Sequence, residues 1–124
     1  MSKLLANEDF SYLDTWVPVP DVKPEFSWQI TFQDWLTIDG YNSVSNIDFS
    51  FIDQGSVPAG IPPTTKTGSI RGSTTKLTVG GHSIVRERDV GTATGLFTVS
   101  GTPGIPCVVT ITVMEAGQFV LKAF

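Results

Sequence analysis

The chain has 124 residues, of which 40% are hydrophobic and 16% charged, and its formal net charge is −4. This length suits one domain whose core is large enough to fold without metals or disulfides. One His, one Cys and two Met leave too few ligands for zinc fingers, haem attachment or a disulfide framework, so we expect no metal and no cofactor. The few basic residues are scattered, which argues against nucleic-acid binding. A membrane span needs about 20 consecutive apolar residues, and the chain has no such run.

Residues 1–25 are predicted to form an extended arm. Pro18, Pro20 and Pro24 each remove a backbone donor and disfavour a helix in the residue before them. The arm also carries five apolar side chains that a solvated segment has little reason to hold: Phe10, Tyr12, Leu13, Trp16 and Val17. We therefore expect the arm to pack on another molecule, with Trp16 in an interchain contact rather than in the core.

Alternation of apolar and polar residues predicts a strand at 26–32 and a second at 44–52. Trp28 follows the first alternation and is expected in the core, whereas Trp35 suits either the core or the surface. Residues 54–75 are rich in turn formers. We expect them to form an interaction loop or to contain a short edge strand near residues 69–71.

From residue 75 onwards glycines separate short apolar runs. These predict strands at 75–79, 83–88, 94–99, 107–113 and 118–124, with a hairpin turn at Gly80 and Gly81. About seven short strands with turns at intervals of about 8 to 12 residues predict an all-β fold. We expect an immunoglobulin-like β-sandwich at 26–124 with a long loop at 54–75, or alternatively a jelly roll or small barrel.

The residues that could carry chemistry suggest no enzyme. His82 follows the Gly–Gly turn without a neighbouring nucleophile and orienting carboxylate, so we expect an exposed hairpin residue. Cys107 alternates with aliphatic residues and is expected to be a buried hydrophobe. Four acids lack the spacing of a calcium loop and are expected on solvated faces or turns: Asp34, Asp39, Asp48 and Asp53.

Two segments resemble a small family of bacteriophage virion proteins with an immunoglobulin-like fold. Residues 26–36, Phe-Ser-Trp-Gln-Ile-Thr-Phe-Gln-Asp-Trp-Leu, are similar to the family's opening aromatic strand and the Trp-Leu corner that follows it. Residues 96–113 are similar to its later strand, Gly-Thr-x-Gly turn and Thr/Val-rich strand. The likeness covers residues 26–52 and 93–124, about half of the chain.

The resemblance implies a non-enzymatic structural protein of the virion, synthesised in the host cytoplasm. The expected role is capsid decoration: a cement protein that bridges neighbouring major capsid subunits and also contacts copies of itself. Deleting the arm is then expected to leave a folded domain that no longer binds capsids. The residues expected to make contacts are Phe10, Tyr12, Trp16, Val17, Trp35 and Ile61.

Two other roles remain open on the sequence. The first is a tail, neck or fibre adaptor of the virion with the same fold. The second is a carbohydrate-binding module that uses Trp16, Trp35 and Tyr41, because exposed aromatic rings stack on sugars.

Overall fold

Two three-stranded antiparallel sheets form the body of the protein. The structure is a computed structural model that describes residues 3–118 and 121–123. Within them lie eight strands: β1 (Lys3–Leu4), β2 (Ser11–Val17), β3 (Ser27–Ile38), β4 (Tyr41–Ile52), β5 (Thr65–Arg71), β6 (Val90–Val99), β7 (Thr102–Glu115) and β8 (Lys122–Ala123). The strand orders are β2-β7-β6, called here the β7 sheet, and β3-β4-β5, the β4 sheet, while β1 pairs with β8. The predicted all-β sandwich is confirmed.

The main core lies between the two sheets, where alternate side chains of each strand point inwards. Strand β7 buries Cys107, Val109, Ile111 and Val113, and β4 buries Ile47, Phe49 and Phe51. Trp16 lies at the centre and is 4% exposed. Its ring meets Phe51 and Phe97 edge-on, at centroid distances of 5.6 and 5.3 Å, an arrangement that aromatic rings favour.

The predicted N-terminal arm belongs to the sandwich instead. Strand β2 pairs with β7 from Ser11 to Val17, and Ala6 bonds to both Val85 and Val44 through its backbone. The apolar residues of this segment therefore pack on their own chain, and the predicted boundary at residue 25 does not separate an arm from a domain. The prolines lie after β2, so they end the strand and leave its hydrogen bonds to β7 intact.

The segment from residue 72 to residue 89 also differs from expectation. The strands predicted at 75–79 and 83–88 are absent from this described segment, where Val79 and His82 form an isolated bridge. The Thr74 side chain links parts of this segment that the predicted strands would have joined through backbone hydrogen bonds. Its hydroxyl donates to the Leu77 carbonyl and accepts from the Ile84 N–H. Val79 and Ile84 pack with Leu5 and Ile38 in a second apolar cluster.

Other expectations hold more closely. The segment predicted as a long loop contains the edge strand β5, which is longer than residues 69–71. His82 is exposed and Cys107 is buried, and burial raises the pKa of the Cys107 thiol. Within the strand predicted at 118–124 lies β8, at Lys122–Ala123. Phe119, Val120 and Phe124 lie outside the described residues. Among the described residues, no helix is long and apolar enough to cross a membrane.

Candidate functional site

The six residues predicted to make contacts do not form one surface. Trp16 is a core residue and Phe10 is half-buried against the core, so the interchain contact expected for Trp16 is corrected. Tyr12 is partly exposed, but its ring lies 4.5 Å from that of Trp28. Val17 and Ile61 are exposed near one end of the sandwich, and Trp35 is exposed near the other end.

The end that holds Val17 and Ile61 is called here the loop end, and it comprises residues 17–22, 52–64 and 96–104. Backbone hydrogen bonds join its parts: the Gln54 N–H donates to Leu96, and the Asp21 N–H donates to Thr98, each at 2.9 Å. The loop end carries six large apolar side chains with exposures of 43–83%: Val17, Val19, Val22, Ile52, Val57 and Ile61. Exposed apolar side chains collected at one end of a fold are typical of a docking site.

Asp53 holds the loop at residues 54–64 in place. Its side chain is 3% exposed, and its two carboxylate oxygens accept the N–H groups of Thr64 and Leu96, each at 2.9 Å. Burial acts to raise the pKa of Asp53, but the N–H donors of Leu96 and Thr64, with Lys66 nearby, outweigh it and hold the pKa below its usual value. The ionised carboxylate therefore fastens both ends of the loop to β6.

The expectation that Asp53 lies on a solvated face or turn is wrong, because its side chain is buried. A local feature of the sequence could have indicated the role of Asp53 in holding the loop. Asp53 is an acid at the end of an apolar strand, directly before a run of Gly, Pro and Ser. Such an acid often accepts hydrogen bonds from the loop that it precedes. Its second donor, the Leu96 N–H, comes from a distant part of the chain, and spacing alone does not reveal that contact.

Backbone hydrogen bonds close the tip of this loop, and residues 54–64 carry no charged side chain. Ser56 and Ile61 exchange two backbone hydrogen bonds of 2.8 and 2.9 Å around the 3-10 turn Val57–Ala59. Gly55 has a φ of 62°, and a Cβ there would collide with the Ile61 carbonyl, so the base of the tip requires glycine. Val57, at the tip, is 83% exposed. A preformed apolar tip loses little conformational entropy on binding.

An uncharged surface adjoins the loop end on the outer face of the β7 sheet. Residues opposite one another in the ladders form rows across the three strands, and burial of the alternate residues shows that these rows face outwards. The rows are Leu13–Thr112–Val90, Thr15–Thr110–Thr92 and Val17–Val108–Thr94. Val17 belongs both to this face and to the loop end, so the uncharged face is continuous with the loop end, whose one exposed charged residue is Asp21.

The opposite end of the sandwich is different in character. Arg86, Glu87, Arg88 and Asp89 lie there, beside the start of β6. Trp35 lies in the bulge of β3 at residues 34–36, is 82% exposed, and borders Gly80. Because Trp16 is in the core, the sugar-stacking platform predicted from Trp16, Trp35 and Tyr41 does not assemble.

The loop end thus offers apolar side chains on a backbone that Asp53 and the Ser56–Ile61 bridge fix in place. This combination suits contact with the surface of another protein, because the interface core of such contacts is depleted in charge. Comparison with known proteins adds no assignment, since no protein-family model, no curated protein and no solved structure matches the chain.

Proposed function

We propose that the chain is a structural protein of the bacteriophage virion, an immunoglobulin-like sandwich that decorates the capsid and bridges neighbouring major capsid subunits. The observation that carries this proposal is that six exposed apolar side chains lie at the loop end. The phage context comes from the resemblance of residues 26–36 and 96–113. In this arrangement the loop end meets the shell, in place of the arm expected from the sequence.

The distribution of charge supports this orientation. The loop at 54–64 is uncharged, whereas residues 86–89 place two Arg, one Glu and one Asp at the far end. Contact surfaces lose water from their centre, so uncharged residues are the less costly ones to bury. If the loop end meets the shell, the charged end remains in solvent.

The contact made by one copy is expected to be modest. Fully burying one Val or Ile side chain contributes about 1.5–3 kcal/mol, and part of each side chain at the loop end is already covered. Association itself costs about 4–15 kcal/mol. Repeated contacts with adjacent subunits and with neighbouring copies add to the affinity on a symmetric shell.

A charge placed in the loop tip tests the proposal. In the double variant Val57→Asp/Ile61→Asp, two carboxylates must be buried in the contact, so binding to shells that lack the protein should fall at least tenfold. The matched control is Val90→Asp, another exposed valine, which lies at the far end of β6. Co-sedimentation with purified shells measures binding, and circular dichroism verifies folding. Normal decoration by the folded double variant would contradict the loop end as the contact surface.

Copy number tests the location in the virion. A band near equimolar with the major capsid protein in purified virions supports decoration of the shell. A band of a few per cent supports the tail, neck or fibre adaptor instead.

A further inference from the structure

The outer face of the β4 sheet carries a regular array of polar side chains. The ladders place residues of β3, β4 and β5 opposite one another in three rows, and residues that alternate with them, such as Ile47, Phe49 and Ile70, are buried in the core. We call this array the polar grid. Its rows are Ser27–Ser50–Thr67, Gln29–Asp48–Ser69 and Thr31–Asn46–Arg71.

A groove lies on the polar grid. One depression, of about 420 Å³, is lined by side chains of the first two rows, Ser27, Gln29, Asp48, Ser50, Thr67 and Ser69, among others. A second depression, of about 460 Å³, shares Ser27 and Ser50 with the first and continues to Pro24, Ile52 and Thr65. Together they form an elongated groove. One half carries hydroxyl, amide and carboxylate groups, and the other combines apolar surface with the carboxylate of Glu25.

Asp48 is the fixed acceptor in the polar half. The Ser69 hydroxyl donates to its Oδ1 at 2.6 Å, and the side chain of Asn46 also donates to the carboxylate. These two hydrogen bonds, helped by the charge of Arg71, hold the pKa of Asp48 below its usual value. A carboxylate has about four lone-pair sites, so Asp48 retains capacity to accept from a ligand.

The chemistry of the groove indicates what class of ligand it suits. The backbone of β4 is paired with strands on both sides, so a ligand on this face meets side chains rather than a free strand edge. Ser, Thr, Asn and Gln offer both donors and acceptors. The residues that line the two depressions include two carboxylates, Asp48 and Glu25, and no Lys or Arg. Carboxylates accept hydrogen bonds from hydroxyl groups and repel anions, so the groove favours a neutral ligand with many hydroxyls over an anionic one.

We propose that this groove binds a neutral oligosaccharide. Sugar hydroxyls exchange hydrogen bonds with Gln29, Asp48 and Ser69, while an apolar C–H face of a sugar ring lies on Pro24, which is outside the loop end. The site is distinct from the aromatic platform expected from the sequence, and it uses a different sheet from the uncharged outer face of β7. It does not depend on the proposed role in the capsid.

The affinity of one site is expected to be weak. Each hydrogen bond to the sugar replaces one to water, so its net contribution is small, and a dissociation constant of about 1 mM is the expected scale. Many copies on one particle would raise the effective affinity for a polysaccharide surface.

Backbone amide shifts of the full-length protein in NMR titrations test the proposal. The probes are cellotetraose, maltotetraose and chitotetraose, each raised to about 10 mM, ten times the expected constant. At least one should shift amides of the groove at Gln29, Asp48, Ser50 and Ser69. Sorbitol serves as a polyol without a sugar ring, and a heparin tetrasaccharide serves as an anionic comparison. The proposal is overturned if none of the neutral sugars shifts these amides, or if the heparin fragment alone does.

Variants then connect the shifts to the polar grid. Gln29→Ala and Asp48→Asn should each weaken binding at least fivefold, whereas Thr110→Ala, on the other outer face, should bind as the unaltered protein does. The Val57→Asp/Ile61→Asp variant should also bind the sugar normally, so a failure of the capsid proposal and a failure of this one are distinguishable. Unchanged affinity in both grid variants would refute the assignment of the site.

Discussion

The substitution Asp53→Asn removes the charge that fastens the loop end while preserving the size of the side chain. In the native protein the two carboxylate oxygens accept from Thr64 and Leu96. Asparagine keeps one acceptor oxygen, which can bond to only one of the two backbone N–H groups. Its NH₂ group faces the other N–H, so one charge-assisted hydrogen bond is lost and that N–H has no acceptor. Hydrogen bonds to charged groups contribute about 1.5–3 kcal/mol, and an unpaired buried donor costs about 1–3 kcal/mol.

We therefore expect Asp53→Asn to lower the free energy of unfolding by about 2–4 kcal/mol at pH 7. For a domain of this size that corresponds to a fall of about 10 °C in Tm. Urea denaturation and calorimetry measure the loss, and faster amide hydrogen exchange in residues 54–64 should accompany it. Asp34→Asn, at an exposed carboxylate in the β3 bulge, is the matched control and should change stability by less than about 0.5 kcal/mol.

The pH dependence gives a second check on the same reasoning. The pKa of Asp53 is lowered in the folded state, so its ionised form stabilises the fold. That contribution is complete above the unfolded pKa of about 3.9 and is lost as the pH falls through the folded pKa. The stability curves of the native protein and Asp53→Asn should therefore converge below about pH 4. A loss under about 0.5 kcal/mol at pH 7, or a difference that persists unchanged into acid, would refute the role assigned to Asp53.

The remaining predictions concern Trp16, Trp35 and the N-terminal segment. Trp16→Ala should cost about 3–5 kcal/mol in denaturant unfolding, whereas Trp35→Ala should cost less than about 0.5 kcal/mol; equal costs would contradict the burial of Trp16. Deletion of residues 1–25 removes β2 and Trp16 together, so the truncated chain should lack a cooperative unfolding transition, and a well-dispersed NMR spectrum would show that the sandwich folds without them.

Local patterns predicted much of the fold. The alternation in residues 26–32 and 44–52 depends only on neighbouring residues, and β3 and β4 lie there, each longer than predicted. The valines and threonines after Cys107 similarly indicate β7, the central strand of its sheet. Such patterns indicate which residues share a face of a strand, because the face that packs on the core consists of hydrophobic residues.

The N-terminal segment was misread because its partner is distant in sequence. Residues 11–17 lie beside residues 108–115, and nothing local to β2 indicates that pairing. The prolines that follow β2 suggested an extended arm over the whole segment, although each proline restricts the backbone only of the residues next to it. Trp16 was consequently assigned to an interface when it fills the core.

The candidate sites were harder still to predict from the sequence. Ile61 and Val17 were proposed as contact residues, but their meeting at one end depends on Asp21, Asp53 and Gln54 bonding to the β6–β7 hairpin. The polar grid depends on register across three strands, and a shift of one residue would send its side chains into the core. A single sequence contains the alternation but not the register between strands.

The pairing of β1 with β8 determines where attached segments emerge. Lys3 lies opposite Ala123, and the Arg86 guanidinium donates a hydrogen bond to the Ala123 carbonyl. This junction lies at the charged end, away from the loop end. A peptide or enzyme fused before residue 3 or after residue 123 would therefore leave from the same place and point away from the apolar tip. On a particle held through that tip, the protein would display such a cargo outwards, whichever terminus carries it.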